Sequence, residues 1–113
     1  MAFEYDQFNA EKQRFPVAEV NGVDIRTLSG DVTLSERDGR FHVLNNGGAA
    51  RNVTLFAVTP ENKGRIECVY NSGGGVFNVV VKDSAGTTLA TLAQNTSAWF
   101  ASNAAGTLHI RIA

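Results

Sequence analysis

His42, His109 and Cys68 are the side chains with which this chain of 113 residues could most readily do chemistry. Two histidines can serve as general acid and base when the fold sets them beside a nucleophile. Their spacing here makes no such set, because each stands alone among the apolar residues of a β-rich segment. Alternation along Arg40–Leu44 takes Phe41 and Val43 as the inward pair. Along Leu108–Ile112 it takes Leu108, Ile110 and Ile112. Both histidines are therefore expected on the opposite face, turned to solvent or to an interface. A reactive thiolate needs cationic neighbours, and none is evident around Cys68, which reads as a small buried apolar residue. Zinc needs ligands clustered at short spacing. The acids Asp31, Asp38, Glu61 and Asp83 occur singly in turns and form no calcium loop. The sequence contains no Gly-x-Ser-x-Gly elbow. The expectation is a protein that is not an enzyme and has no metal and no cofactor.

Two glycine-rich breaks, Asn45-Asn46-Gly47-Gly48 and Asn71-Ser72-Gly73-Gly74-Gly75, raise the possibility of a phosphate loop. Such a loop leads from a strand into a helix whose N-terminus holds the anion. Both breaks lead instead into β-branched segments and lack the Lys-Ser/Thr ending, so they are expected to be hairpins or wide loops.

The elements around these breaks are short and β-rich. Asn21-Gly22 between Val17–Val20 and Val23–Arg26 predicts a hairpin. Segments near 31–35, 40–44, 51–58, 65–70, 76–83, 87–92, 96–101 and 107–113 follow, separated by turns such as Asp83–Gly86 and Asn103–Gly106. Val53, Leu55 and Ala57 share one face of their segment and Thr54, Phe56 and Val58 share the other, both substantially apolar, so both faces are expected to be covered. Phe77, Val79 and Val81 share a face of the next. Trp99, with Tyr70, reads as core, or alternatively as a platform for sugar stacking. Eight to ten strands at this spacing predict an all-β fold: a small antiparallel β-sandwich or a jelly-roll-like barrel, over residues 17–113.

Residues 1–16 differ. Phe3, Tyr5, Phe8 and Phe15 are set among charged residues, and Pro16 closes the segment. This is the extended N-terminal arm. Four aromatics are costly to leave in water, so the arm either caps its own domain or docks on another chain. Lys plus Arg number 10 against 11 acids, for a net charge of −1. That balance argues against nucleic acid and against an anionic membrane as partners. The N-terminus shows no basic and apolar leader pattern, and one cysteine allows no internal disulfide, which suits folding in a reducing cytoplasm.

The stretch 49–99 resembles small virion proteins of tailed bacteriophages. The resemblance rests on Ala50–Leu55, Val58–Arg65, Val69–Gly74, Asn78–Asp83 and Thr88–Leu92, closed by Trp99. It is similar to the β-domain of capsid decoration (cement) proteins and of fibre modules, and covers about half the chain. The resemblance implies a structural protein on the outer capsid surface of a virion, made in the host cytoplasm. Its partners would be the major capsid protein and itself, as a homotrimer or homodimer, and its role would be to stabilise contacts between capsomers. Phe3, Tyr5, Phe8, Phe15, Phe56 and Val58 are the expected capsid or subunit interface. The alternative is a fibre or adsorption module that binds a host cell-surface glycan.

Overall fold

The structure, a computed structural model, describes residues 22–113. Its strands are β1 (Val23–Thr27), β2 (Val32–Thr33), β3 (Phe41–Asn45), β4 (Arg51–Thr54), β5 (Glu67–Asn71), β6 (Val79–Lys82), β7 (Thr88–Leu92), β8 (Ser97–Ser102) and β9 (His109–Arg111). No helix occurs among the described residues. A five-stranded sheet runs in the order β9-β8-β5-β3-β1, and a four-stranded sheet in the order β2-β4-β6-β7.

The pairing departs from the expected antiparallel arrangement. From β1 to β6 the chain alternates between the sheets, and each strand lies parallel to the one two before it. The first six strands therefore form three turns of a coil, with β1–β2, β3–β4 and β5–β6 as successive turns. Parallel neighbours need a crossover, and here the strand in the other sheet supplies it. The last three strands then pair antiparallel, β7 with β6, β8 with β5 and β9 with β8. Both sheets keep open edges, so the molecule is neither a closed barrel nor the antiparallel jelly roll expected. The proposed Asn21-Gly22 hairpin is not tested in its first half, because Val17–Asn21 lies outside the described residues. Its second half is β1, which pairs with β3.

The two asparagine–glycine breaks are equivalent corners of adjacent turns. Asn46 and Asn71 are buried there. The Asn71 side chain donates to the carbonyls of Phe77 (3.2 Å) and Leu92 (3.0 Å) and accepts from the Gly73 N–H at 3.0 Å. Asn46 donates to the carbonyls of Gly74 (3.2 Å) and Phe77 (3.1 Å). These side chains satisfy backbone groups that leave the ladder at each corner. Gly73 rests against Asn46, and a β-carbon there would come within 2.6 Å of the Asn46 backbone nitrogen. The predicted turns form as well: Asp83 Oδ1 accepts from the N–H groups of Ala85 and Thr87, with Gly86 at φ 91°.

Both sheets feed one core. Leu44, Val69, Ala98 and Phe100 come from the larger sheet, and Val53, Val79, Val81, Ala90 and Leu92 from the smaller. Leu28, Leu34 and Leu55 fill the corners. β6 is short and valine-rich, with Val79 and Val81 buried in the core and Val80 half-exposed on the other face.

Candidate functional site

The five-stranded sheet has two faces with opposite character, and alternation along each strand assigns every residue to one of them. Asp24 on β1, His42 on β3 and Glu67 on β5 point inward. His42 is 1% exposed and Glu67 0%. His42 Nδ1 lies 2.9 Å from Asp24 Oδ2, and Nε2 lies 2.9 Å from Glu67 Oε1. A carboxylate only accepts, so both ring nitrogens donate and the imidazole is a cation. Burial opposes that charge, but the hydrogen bonds to Glu67 and Asp24 outweigh it, and the His42 pKa is raised.

The network continues at both ends. Arg65 Nε donates to Glu67 Oε2 at 2.9 Å, and the Arg65 guanidinium also donates to the carbonyls of Glu36 and Gly39. Arg26 grips Asp24 at 2.8 Å and reaches Asp38 at 3.1 Å. Burial works against the Asp24 charge. The hydrogen bonds from Arg26 and His42 exceed it, and the Asp24 pKa is lowered. Among the described residues no hydroxyl, thiol or ammonium group is hydrogen-bonded to Asp24, His42 or Glu67. This is a closed charge network that locks β1, β3 and β5 together. No group of three or more His, Cys, Asp or Glu side chains among the described residues is placed to hold a metal.

His109 is also buried, at 3% exposed, with its ring edge-on to Phe56 (centroids 4.9 Å apart). Burial lowers its pKa, so it stays neutral where His42 is charged. Both histidines thus lie inside, contrary to the expectation from alternation. Phe41, Ile110 and Ile112, expected inside, are exposed instead. The alternation was right in period and inverted in phase.

The outer face of the same sheet is apolar. The registers set Val23, Phe41, Cys68 and Trp99 side by side across β1, β3, β5 and β8. Carried one residue past Arg111↔Phe100, the β9 register adds Ile112, whose N–H donates to the Trp99 carbonyl at 2.8 Å. A second row holds Ile25, Val43 and Tyr70. The Phe41 and Trp99 rings meet edge-to-face across Cys68, with centroids 5.6 Å apart. The small thiol between them leaves room for that contact, and its own burial raises its pKa. Its exposed members run from 37% at Trp99 to 73% at Ile25, with Val43, Cys68 and Tyr70 half-buried between them. Large exposed apolar patches mark interaction sites.

The expected interface residues are distributed as follows. Phe3, Tyr5, Phe8 and Phe15 lie outside the described residues. Phe56 and Val58 are each 8% exposed, covered by the chain's own residues, with the Arg65 guanidinium 5.3 Å from the Phe56 ring centre. Trp99 is at the surface, not in the core. Sequence reasoning missed Asp24 and Glu67, although Asp24-x-Arg26 and Arg65-x-Glu67 carried a signal. Each places opposite charges on one face of a strand, where they pair. Comparison with known proteins finds no matching family model, no matching curated protein and no matching solved structure.

Proposed function

We propose that this protein is a structural virion component that binds the outside of a phage capsid and stabilises contacts between capsomers. The observation that carries the reading is the apolar outer face of the five-stranded sheet. It covers all five strands, and it lies on the sheet whose inner face holds the Asp24–His42–Glu67 network. Such a face suits a protein whose work is contact. The two sheets, packed as a sandwich around their shared core, are the scaffold in this reading. Residues 1–16 are the anchoring arm, and the protein acts as a homotrimer or homodimer beside the major capsid protein. The near-balanced charge also suits a protein partner over nucleic acid or membrane.

The test is co-sedimentation of the purified full chain with shells of its parent particle assembled without it. Saturable binding at a fixed ratio to the major capsid protein is expected, and its loss on Trp99→Ser would place the contact on this face. No binding to mature shells would sink the reading.

The exposed Trp99, edge-to-face with Phe41, favours a second reading: an adsorption module in which the indole stacks on a cell-surface sugar. A glycan array separates the two. Specific retention that Trp99→Ala abolishes without unfolding the domain would favour the sugar.

A further inference from the structure

Among the described residues the two sheets have four edge strands, β1, β2, β7 and β9. β2 is two residues long and β9 three, and β7 meets its neighbour across a register shift between Val81 and Lys82. Short strands and bulges are ordinary ways of blunting an edge. β1 has neither: its five residues pair with β3 in unbroken register, from Val23↔Phe41 to Thr27↔Asn45. Continuing that register, the Leu28 N–H donates to the Asn45 carbonyl at 2.8 Å, and on the far side of β3 the Arg40 carbonyl accepts from Cys68. Backbone direction alternates along a strand, so the even-numbered residues of β1 bond to β3. The N–H and C=O groups of Val23, Ile25 and Thr27 point the other way, to an edge that no described residue pairs with. We propose that this edge pairs with the same edge of a second copy, antiparallel about a two-fold axis at Ile25, and that the protein is a homodimer joined through β1.

The residues of β1, Val-Asp-Ile-Arg-Thr, fit themselves in that arrangement. Ile25 stands opposite the partner's Ile25, and Val23 opposite the partner's Thr27. These are the hydrogen-bonded pairs of an antiparallel ladder, so every outward N–H and C=O of the three residues is met. Between them Asp24 stands opposite the partner's Arg26, and Arg26 opposite the partner's Asp24. They form the non-hydrogen-bonded pairs, where side chains come closest. Opposite charges so placed stabilise the pairing, and like charges oppose it. Moving the axis to Asp24 or to Arg26 would set two acids or two bases against each other, so charge selects one register. Charges on the inner side of an edge strand discourage pairing in general. These two select a partner of complementary pattern, and the chain itself supplies one. Arg26 keeps 32% of its side chain exposed and so is accessible to a neighbour across the edge. On the outer side Ile25, 73% exposed, meets its copy on the axis. The apolar face then continues from one protomer into the other.

The inference goes beyond the capsid reading, which leaves the oligomer open, and it is tested without shells, so either can fail alone. The interface is small, of the weak class that buries less than about 1,200 Å². Sedimentation velocity therefore follows the full chain from about 10 μM to about 1 mM, beside Ile25→Lys and Ile25→Pro. The first substitution sets two like charges against each other on the axis. The second removes an N–H that faces the open edge and leaves the ladder to β3 intact, the one strand setting in which proline is tolerated. The full chain is expected to pass from monomer to dimer over this range. Both variants should keep the native circular dichroism and dissociate more than about tenfold more readily. Hydrogen exchange at the amides of Val23, Ile25 and Thr27 should slow as the dimer forms. Monomer mass at every concentration would overturn the inference, and slow exchange of those amides in the monomer would assign the edge to another part of the same chain. A trimer, or a dimer that both variants leave intact, would also overturn it and place the contact elsewhere. If Ile25→Pro fails to fold, Ile25→Lys decides alone, because its side chain stands on the exposed outer face.

Discussion

The inner face of the five-stranded sheet buries His42 and Glu67 beside a half-buried Asp24, while its outer face exposes Val23, Phe41 and Trp99. Ranking residues by polarity would put the two sets the other way round. The difference teaches what decides burial in this small domain. A charged group goes inside when every one of its bonds is met there, as for His42 between two carboxylates. His42 and Glu67 hold their inner positions through pairing, whereas His109 is held there by packing against Phe56 with its Nδ1 unpartnered.

The strongest way to break this contrast is to open the inner network. Glu67→Ala leaves the His42 imidazolium and the Arg65 guanidinium short of a partner in a buried place. Breaking such a pair costs about 3–5 kcal/mol, a large share of the stability of a domain this size. Urea denaturation should show it, and Glu67→Gln, which keeps an acceptor for His42, should lose less. A loss below about 1 kcal/mol would mean that the network behaves as a surface one.

Next in size is a pair of substitutions on one strand. Leu44→Ala on the inner face of β3 should cost about 2–5 kcal/mol, since Leu44 is fully buried in the core cluster. Phe41→Ala, three residues away on the outer face, removes the edge contact with Trp99 and should cost about 1 kcal/mol. Equal losses would show that the outer face is as much a core as the inner one. Such a result would sharpen the comparison by requiring that the face already be covered.

The strand segments and the turns at Asp83–Gly86 and Asn103–Gly106 were legible because they depend on local backbone chemistry, and the Asn–Gly breaks were legible as loops but not as equivalent corners of a coil. The parallel pairing was not. Short β-branched strands look alike in parallel and antiparallel sheets. The turns of the coil also differ in length: Val23 pairs with Phe41 and Phe41 with Cys68, offsets of 18 and 27 residues, so no sequence period betrays them. The phase of alternation on β3 and β9 was misread for a physical reason. Alternation gives two faces but does not say which is buried, and the assumption that apolar means inward fails on a sheet whose exposed side is apolar as well. Glu67 was missed because its partner His42 lies 25 residues away in sequence, joined to it only by the crossover.

The smallest expected effect is that of pH, and the two buried histidines set its two sides. His42 is faced by Asp24 and Glu67, with Arg26 and Asp38 behind the first and Arg65 behind the second. Its folded pKa lies above the ordinary value of about 6.5. Its contribution to stability is therefore complete below that value and is lost as pH rises through the folded pKa. His109 has the opposite sign. Its folded pKa is lowered by burial, so its contribution is present above about 6.5 and is lost as pH falls through the folded pKa. Between them the wild-type stability should be greatest near the ordinary histidine value of about 6.5, declining on the alkaline side as His42 discharges and on the acid side as His109 takes up a proton. Asp24, with its lowered pKa, adds a loss at acid pH as the solution falls through its folded value. In His42→Gln the alkaline decline should vanish while the acid decline set by His109 and the remaining carboxylates persists. In His109→Leu the alkaline decline should remain. Urea titrations at pH 5, 6, 7, 8 and 9 on the three proteins read this directly. Parallel curves for wild type and His42→Gln would mean that the imidazole between Asp24 and Glu67 is not the cation its two acceptors require.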